Sequence, residues 1–162
     1  MYNLLKKVYS MPRACKAMQA VSSAAVFLTA LALVPIMWGA ALISPMSAVK
    51  VAVISGVPLL LVTLVRYLVN APRPYELYDF YEKRPKSREG RSFPSRHAYS
   101  SFVLATVAMF IYPALGVILL ALGRIICVLR FLLGIHFLRD VAAGALLGVA
   151  SGMLGVCILA PF

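Results

Sequence analysis

Long apolar runs separated by short polar connections make up most of this chain. Residues 17–49, 97–123 and 141–162 contain no Lys, Arg, Asp or Glu. Each run exceeds the roughly 20 residues needed to cross a hydrocarbon layer about 30 Å thick. The pattern predicts five membrane spans. The first covers 18–43, kinked near Pro35, with Trp38 towards its far end. Ser44-Pro45-Met46-Ser47 makes a short turn, and the second span runs over 49–69 until Pro72 and Pro74 end it. A polar loop rich in charge and tyrosine fills 71–96. The third span starts near His97 and closes at Tyr112-Pro113, where a tight hairpin leads into the fourth. The fourth continues to about Gly134 and the fifth occupies 141–160. The expected fold is an all-α, polytopic transmembrane helix bundle. It forms a single integral-membrane domain over 1–162, with a basic interfacial N-terminus at 1–17 and a headgroup-side loop at 71–96.

Composition agrees with that pattern. Of 162 residues, 62% are hydrophobic and 13% charged, against roughly 45–50% and about 25% in soluble globular chains. That excludes an ordinary soluble enzyme. The net charge of +11 sits beside apolar spans, which directs it to membrane lipids rather than nucleic acid. Cys15, Cys127 and Cys157 have no paired spacing and no neighbouring histidine, so neither a disulfide framework nor a metal site is expected. Lys6, Lys7, Arg13 and Lys16 ahead of an apolar run have the look of a signal peptide. The run is too long for a signal h-region, and it is read as the first span.

Threading five spans back and forth gathers three clusters at one face. Arg66 and Arg73 leave span two there, Ser95 and His97 begin span three, and Arg130, His136 and Asp140 lie between spans four and five. Of the 16 Lys and Arg residues, Lys50 alone falls clearly on the opposite side, and Arg124 falls mid-span. The positive-inside rule places that face, and the N-terminus with it, in the cytoplasm. The site's own arginines contribute to this excess, and a phosphate site is basic wherever it faces, so orientation leans cytoplasmic.

The clusters carry specific chemistry. Residues four apart at a helix start share a face, so Asp140 can accept a hydrogen bond from one ring nitrogen of His136 and leave the other free to attack. The plainer alternative is a surface ion pair. Arg66, Arg73 and Arg130 each fork onto two phosphate oxygens, and a phosphoryl group in flight needs several such donors. Snorkelling towards headgroups is the competing reading. In Pro94-Ser95-Arg96-His97 the proline suits a first helical turn. Free N–H groups and the Ser95 hydroxyl then face an anion, and His97 stands ready as a proton donor. Taken singly, that tetrapeptide is an N-cap with an incidental histidine.

Together these segments resemble the type 2 phosphatidic acid phosphatase family, whose fold core is shared with vanadium haloperoxidases and bacterial acid phosphatases. The family pattern is Lys-x6-Arg-Pro, Pro-Ser-Gly-His and Ser-Arg-x5-His-x3-Asp. Its counterparts here are Arg66-x6-Arg73-Pro74, Pro94-Ser95-Arg96-His97 and Leu129-Arg130-x5-His136-x3-Asp140. The resemblance implies a metal-independent phosphatase with no cofactor, acting on a lipid phosphomonoester or diphosphate. Phosphatidylglycerol phosphate, phosphatidic acid and undecaprenyl diphosphate are the candidate substrate types, in a bacterial cell membrane. It implies His136 as nucleophile through a phosphohistidine, Asp140 as its orienting partner and His97 as general acid. Arg66, Arg73, Ser95, Arg96 and Arg130 would bind phosphate.

Three positions depart from the family. Arg66 replaces lysine, with a different reach and fork. Arg96 replaces glycine and offers a side chain for the headgroup, while Leu129 replaces a serine and removes a hydroxyl. The alternative function is a catalytically silent lipid-phosphate binding or transport protein. Such a protein would keep the arginines without needing both His97 and His136.

Other signals leave alternatives open. The aromatic and basic residues between Tyr75 and Arg91 fit either a headgroup-layer segment or a solvated loop. Gly144, Gly148 and Gly152 form a smooth face for another span of the chain or for a homodimer. Arg124 has no acidic residue in a neighbouring span and is expected to face protein, water or a carbonyl.

Overall fold

The computed structural model describes residues 2–78 and 90–159, all helix and connection among them, with no strand. Helix α1 covers Tyr2–Tyr9, and α2 (Pro12–Leu31) with α3 (Leu33–Ile43) makes the first crossing. Helix α4 (Pro45–Val69) returns, and a short α5 (Pro74–Leu77) follows. After the segment 79–89, which lies outside the described residues, come α6 (Arg96–Ile111), α7 (Pro113–Leu132) and α8 (Leu138–Leu159). Among the described residues, four stretches are long and apolar enough to cross a membrane: Pro12–Ile43, Pro45–Leu77, Pro113–Leu132 and Leu138–Ile158. Helix α6 is the fifth member of the bundle and packs on α2, α3, α4, α7 and α8. Its 16 residues rise about 24 Å at 1.5 Å per residue. The protein is an integral membrane protein.

Where a kink near Pro35 was expected, the first crossing shows a break between two helices at Ala32, three residues before the proline. Proline has no N–H and its ring crowds the carbonyl four residues earlier, here Leu31, so the ladder breaks upstream. Ala32 keeps helical angles and donates back to Leu28, so the two halves stay nearly continuous. The hairpin at Tyr112 and Pro113 forms as expected, with Pro113 opening α7. The last span starts earlier than expected, at Leu138, which places Asp140 in its first turn. The basic N-terminal stretch divides between two helices. Lys6 and Lys7 lie on α1, whereas Arg13 and Lys16 already belong to α2.

Burial is inverted relative to a water-soluble bundle. Large side chains face outward, among them Phe27, Leu60, Leu68, Leu146 and Ile158, where lipid tails replace water as the contact. The interior is built from smaller residues, with Ala98, Val103, Ala105, Val107 and Ala108 of α6 at its centre. Association in lipid relies on close packing rather than on water exclusion, and α8 supplies it. A side chain at Gly148 would meet the Tyr99 carbonyl and Phe102, and one at Gly152 would meet Thr106. Gly144 lies as tightly against the Ser95 carbonyl and Ala98. The glycine face is therefore occupied by α6 of the same chain. Of the two alternatives left open for Gly144, Gly148 and Gly152, packing against a span of the same chain is the one observed, and the possible homodimer through them is corrected on that ground.

Arg124 is exposed on the outer side of α7. The N-terminus is on the same side as the three clusters. Leu5 of α1 is fully buried against Tyr75, with Tyr9, Tyr78 and Phe131 packed around them, and Tyr2 meets Tyr78 edge to face at 5.5 Å.

The α6–α8 contact generates a contrast between two glycines. Gly148→Ala is expected to lower stability by about 1–3 kcal/mol, the usual cost of overpacking. Gly56→Ala, where an added Cβ meets nothing within 4 Å, is expected to be close to neutral. Thermal unfolding of both variants in detergent checks this, and equal melting temperatures would refute the packing argument.

Candidate active site

Three turns bring the candidate residues together. The first follows α4. Asn70 ends that helix in the left-handed region (φ 42°), and its N–H bonds the Arg66 carbonyl. The chain then reaches Arg73 and α5, where Glu76 accepts from the Gly90 N–H at 2.7 Å. The second is the run 90–95 leading into α6. Gly90 has φ 67° and Arg91 φ 53°, and a side chain at Gly90 would run into Asn70. Ser95 caps α6, accepting from the Ala98 N–H at 3.5 Å. The proline expected in the first helical turn, Pro94, instead precedes the cap, joined to Phe93 by a cis bond.

The third turn closes α7. Gly134 (φ 63°) sits just past the helix end, where glycine adopts left-handed angles without strain. The chain folds back so that both Ile135 and His136 donate to the Arg130 carbonyl, at 3.0 and 3.2 Å. His136 is thereby aimed into the bundle and is 2% exposed. Tyr75 donates to the Gly134 carbonyl at 3.3 Å, tying this turn to the first one.

Asp140 is the meeting point. Its carboxylate is fully buried. Oδ2 accepts from the Phe137 N–H at 2.9 Å and from the Ser92 hydroxyl at 2.5 Å. The first of these is the capping-box arrangement, in which an N3 carboxylate satisfies the N-cap amide. Oδ1 faces Arg139 Nε at 3.5 Å. The Asp140 carbonyl accepts from the Ser95 N–H at 2.9 Å, stitching α8 to the start of α6. His136 Nδ1 lies 3.7 Å from Oδ2, an ion-pair separation longer than a hydrogen bond. The Ser92 hydroxyl stands between them, 3.2 Å from Nδ1.

The arginines divide by role. Arg66, 5% exposed, donates from Nη1 to the Pro94 carbonyl at 2.6 Å and to the Ser92 carbonyl at 3.3 Å. Arg73 donates from Nε to the Gly90 carbonyl at 2.9 Å and lies over Tyr75. Arg130 fills the last turn of α7, below the His136 backbone it holds. Arg96 is exposed at the first position of α6. Arg91 stacks on Tyr67, 4.0 Å from the ring centroid. His97 faces a cavity of about 530 Å³ between α2, α3, α4 and α6, with Met37, Gly56, Leu59 and Leu104 in its walls.

The cavity is almost wholly apolar and begins where the polar groups end. Among the described residues no three His, Cys, Asp or Glu side chains come together as a metal-binding group. Sequence reasoning missed Ser92 and Arg139. The first had no signal beyond its place three residues before Ser95, and the second was hidden by its charged neighbour.

Burial pushes the His136 imidazole below its ordinary pKa. Asp140 pulls it the other way, and Arg73 and Arg66 add to the lowering. The site thus sets a His136 imidazole of lowered pKa among several guanidiniums, beside an apolar cavity. Guanidiniums, an imidazole, a buried carboxylate and an apolar cavity thus meet at one end of a membrane-embedded bundle.

The sequence profile of the PAP2 superfamily matches residues 47–161, and the chain belongs to that superfamily. Two crystal structures share its fold. One is the transmembrane PAP2 type phosphatidylglycerolphosphate phosphatase from Bacillus subtilis, with a TM-score of 0.71 and 22% identity, covering 96% of this chain and 82% of that one. The other is Aquifex aeolicus LpxE, with a TM-score of 0.71 and 21% identity, covering 96% and 94%. At these identities the likeness establishes the architecture. No curated protein sequence matches the chain significantly.

The lowered pKa sets a pH dependence. Below the unfolded value of 6.5 the unfolded chain binds a proton that the folded chain refuses. Stability from this residue is therefore complete above pH 6.5 and declines as pH falls towards the folded pKa. Titration of the His136 ring by NMR is expected to give a midpoint below 6.5, and a midpoint above it would contradict the stated balance of burial and charge.

Proposed function

We propose that this protein is a membrane-embedded phosphatase that removes phosphate from a lipid phosphomonoester or diphosphate through a phosphohistidine on His136. The supporting observation is convergence. His136, Asp140, Ser95, the 90–95 run and the arginines of α4 and α7 meet at one end of the bundle, though they are spread over residues 66 to 140. In the first step the Nε2 lone pair of His136 bonds to phosphorus. The bond from phosphorus to the leaving oxygen breaks, and His97 passes that oxygen a proton. Water then attacks phosphorus, the P–N bond breaks, and His97 takes the proton back.

Arg66, Arg73, Ser95, Arg96 and Arg130, with the first N–H groups of α6, hold the phosphate oxygens, where charge develops. Asp140 acts by orienting His136. Charge neutralisation by guanidiniums makes a metal ion unnecessary in this mechanism. The cavity beside His97 takes the apolar tail, which puts the leaving oxygen next to the proton donor.

Phosphatidylglycerol phosphate, phosphatidic acid and undecaprenyl diphosphate are the substrate types that fit a phosphate head on an apolar tail. A site on the cytoplasmic face of a bacterial cell membrane is the orientation we favour, because Lys and Arg gather on that side and Lys50 alone lies opposite.

Phosphate release in chelator against a panel of lipid phosphates of decreasing tail length tests the chemistry. His136→Ala is expected to lower turnover by roughly 10⁴-fold or more, as loss of a nucleophile does elsewhere. Removal of Arg130 is expected to cost about 10²–10³-fold. Rates should fall as the tail shortens. Full activity of the His136 variant would refute the nucleophile, and a wild-type protein that binds these lipids without releasing phosphate would establish the silent binder.

Orientation has its own test. In a cysteine-free background, Leu77→Cys is expected to react with a membrane-impermeant maleimide only after intact cells are opened. Labelling from outside would reverse the assignment.

A further inference from the structure

Ser92 precedes the Pro-Ser-Arg-His segment and lies outside every motif discussed above, yet its hydroxyl lies 3.2 Å from the proposed nucleophile's inner nitrogen. We propose that Ser92 is the positioning residue through which Asp140 acts on His136, an assignment that rests on His136 being the nucleophile.

The geometry carries it. Asp140 Oδ2 and His136 Nδ1 are 3.7 Å apart, outside the roughly 2.7–3.2 Å of a good N–H···O bond. Ser92 Oγ is 2.5 Å from Oδ2 and 3.2 Å from Nδ1. A hydroxyl has one proton and two lone pairs, and an ionised carboxylate only accepts. The Ser92 proton therefore goes to Oδ2, and the Oγ lone pair faces Nδ1. The proton of the neutral imidazole then belongs on Nδ1, which leaves Nε2 bare. That is the tautomer required for attack on phosphorus.

Ser92 has little freedom to do anything else. It has no exposed surface. Its N–H donates to the Ala71 carbonyl at 2.9 Å and its own carbonyl accepts from Arg66. Each of its polar atoms is thus committed, and the hydroxyl is held between an acceptor and a ring. As Nε2 bonds to phosphorus, the ring gains positive charge. The Nδ1–H···Oγ and Oγ–H···Oδ2 bonds then strengthen in sequence, since linked hydrogen bonds polarise one another. No proton leaves the chain of three groups. Arg66 joins the arrangement indirectly, because the guanidinium proposed to hold phosphate also holds the Ser92 carbonyl in place.

The experiment uses the full chain in detergent, labelled with ¹⁵N-histidine. With only two histidines in the protein, two ring systems appear. Wild type is expected to show His136 protonated at Nδ1, and Ser92→Ala to move that proton wholly or partly to Nε2. In assays of phosphate release from phosphatidic acid, Ser92→Ala should lower kcat by roughly 10- to 100-fold, the effect of one buried hydrogen bond to a charged group. KM should stay within about twofold, because no substrate contact is lost.

Ser92→Thr should recover most of the rate. Ser92→Cys, close in size but a weak donor, should not, which keeps the test open if the alanine variant fails to fold. Adding Ser92→Ala to Asp140→Asn should cost little beyond Asp140→Asn alone, since both act through one path. An unchanged tautomer with wild-type kcat in the alanine or cysteine variant would overturn the assignment, as would losses that multiply in the double variant. If wild type forms no acid-labile phosphoenzyme while the tautomer still responds to Ser92, the nucleophile reading fails and the positioning of the ring stands.

Discussion

A carboxylate with no exposed surface, set in the first turn of a membrane helix, depends on the partners the fold brings to it. Asp140 Oδ2 accepts from the amide that caps its own helix and from a hydroxyl of the run before α6, while Oδ1 has only the ion pair with the neighbouring guanidinium. Breaking such a buried arrangement by removing one partner commonly costs about 3–5 kcal/mol. The demand that this one charge be satisfied draws the α7–α8 turn and the 90–95 run together. The imidazole that lies between them is placed by the same requirement. The bonds that satisfy the carboxylate are thus the ones that position the ring.

Arg66 imposes the second constraint. A buried guanidinium in a membrane helix needs acceptors, and it finds them in the carbonyls of Ser92 and Pro94. The planar fork lets one terminal nitrogen reach both carbonyls while the remaining nitrogens stay directed elsewhere. An ammonium at this position would present a single point charge on a flexible stem. The exchange of the family's lysine for arginine therefore changes how the loop is held as well as how an anion is met. Arg73 repeats the pattern on Gly90, so two helix-end cations anchor the backbone that carries Ser92 and Ser95.

The architecture was largely legible in the sequence because it follows from run length. Apolar stretches without charge identify the spans, and proline marks both ends of α4 and the hairpin before α7. The three clusters were legible as well, since helix count alone decides which ends share a face. What escaped depends on contacts rather than patterns. The break at Ala32 instead of Pro35 follows from the carbonyl that proline disturbs, one turn upstream. Ser92 has no periodicity and no charge, and it matters only because a loop brings it between two groups 44 and 48 residues away. The glycine stripe on α8 was readable as a packing face, but the sequence did not say whose helix would cover it. The segment 79–89, with most of the loop's aromatic and basic residues, lies outside the described residues.

Gly144 and Gly148 bring the backbone of α8 against that at the start of α6, and Gly152 makes room for the Thr106 side chain. Helices in such contact have little room to slide or separate, because α8 offers no long side chain at these three positions. His97 is carried at the start of one of these rods, and His136 just before the start of the other. Their mutual distance is therefore a property of two abutting main chains, insensitive to the thickness or fluidity of the surrounding lipid. The bilayer can vary around the pair without detuning it.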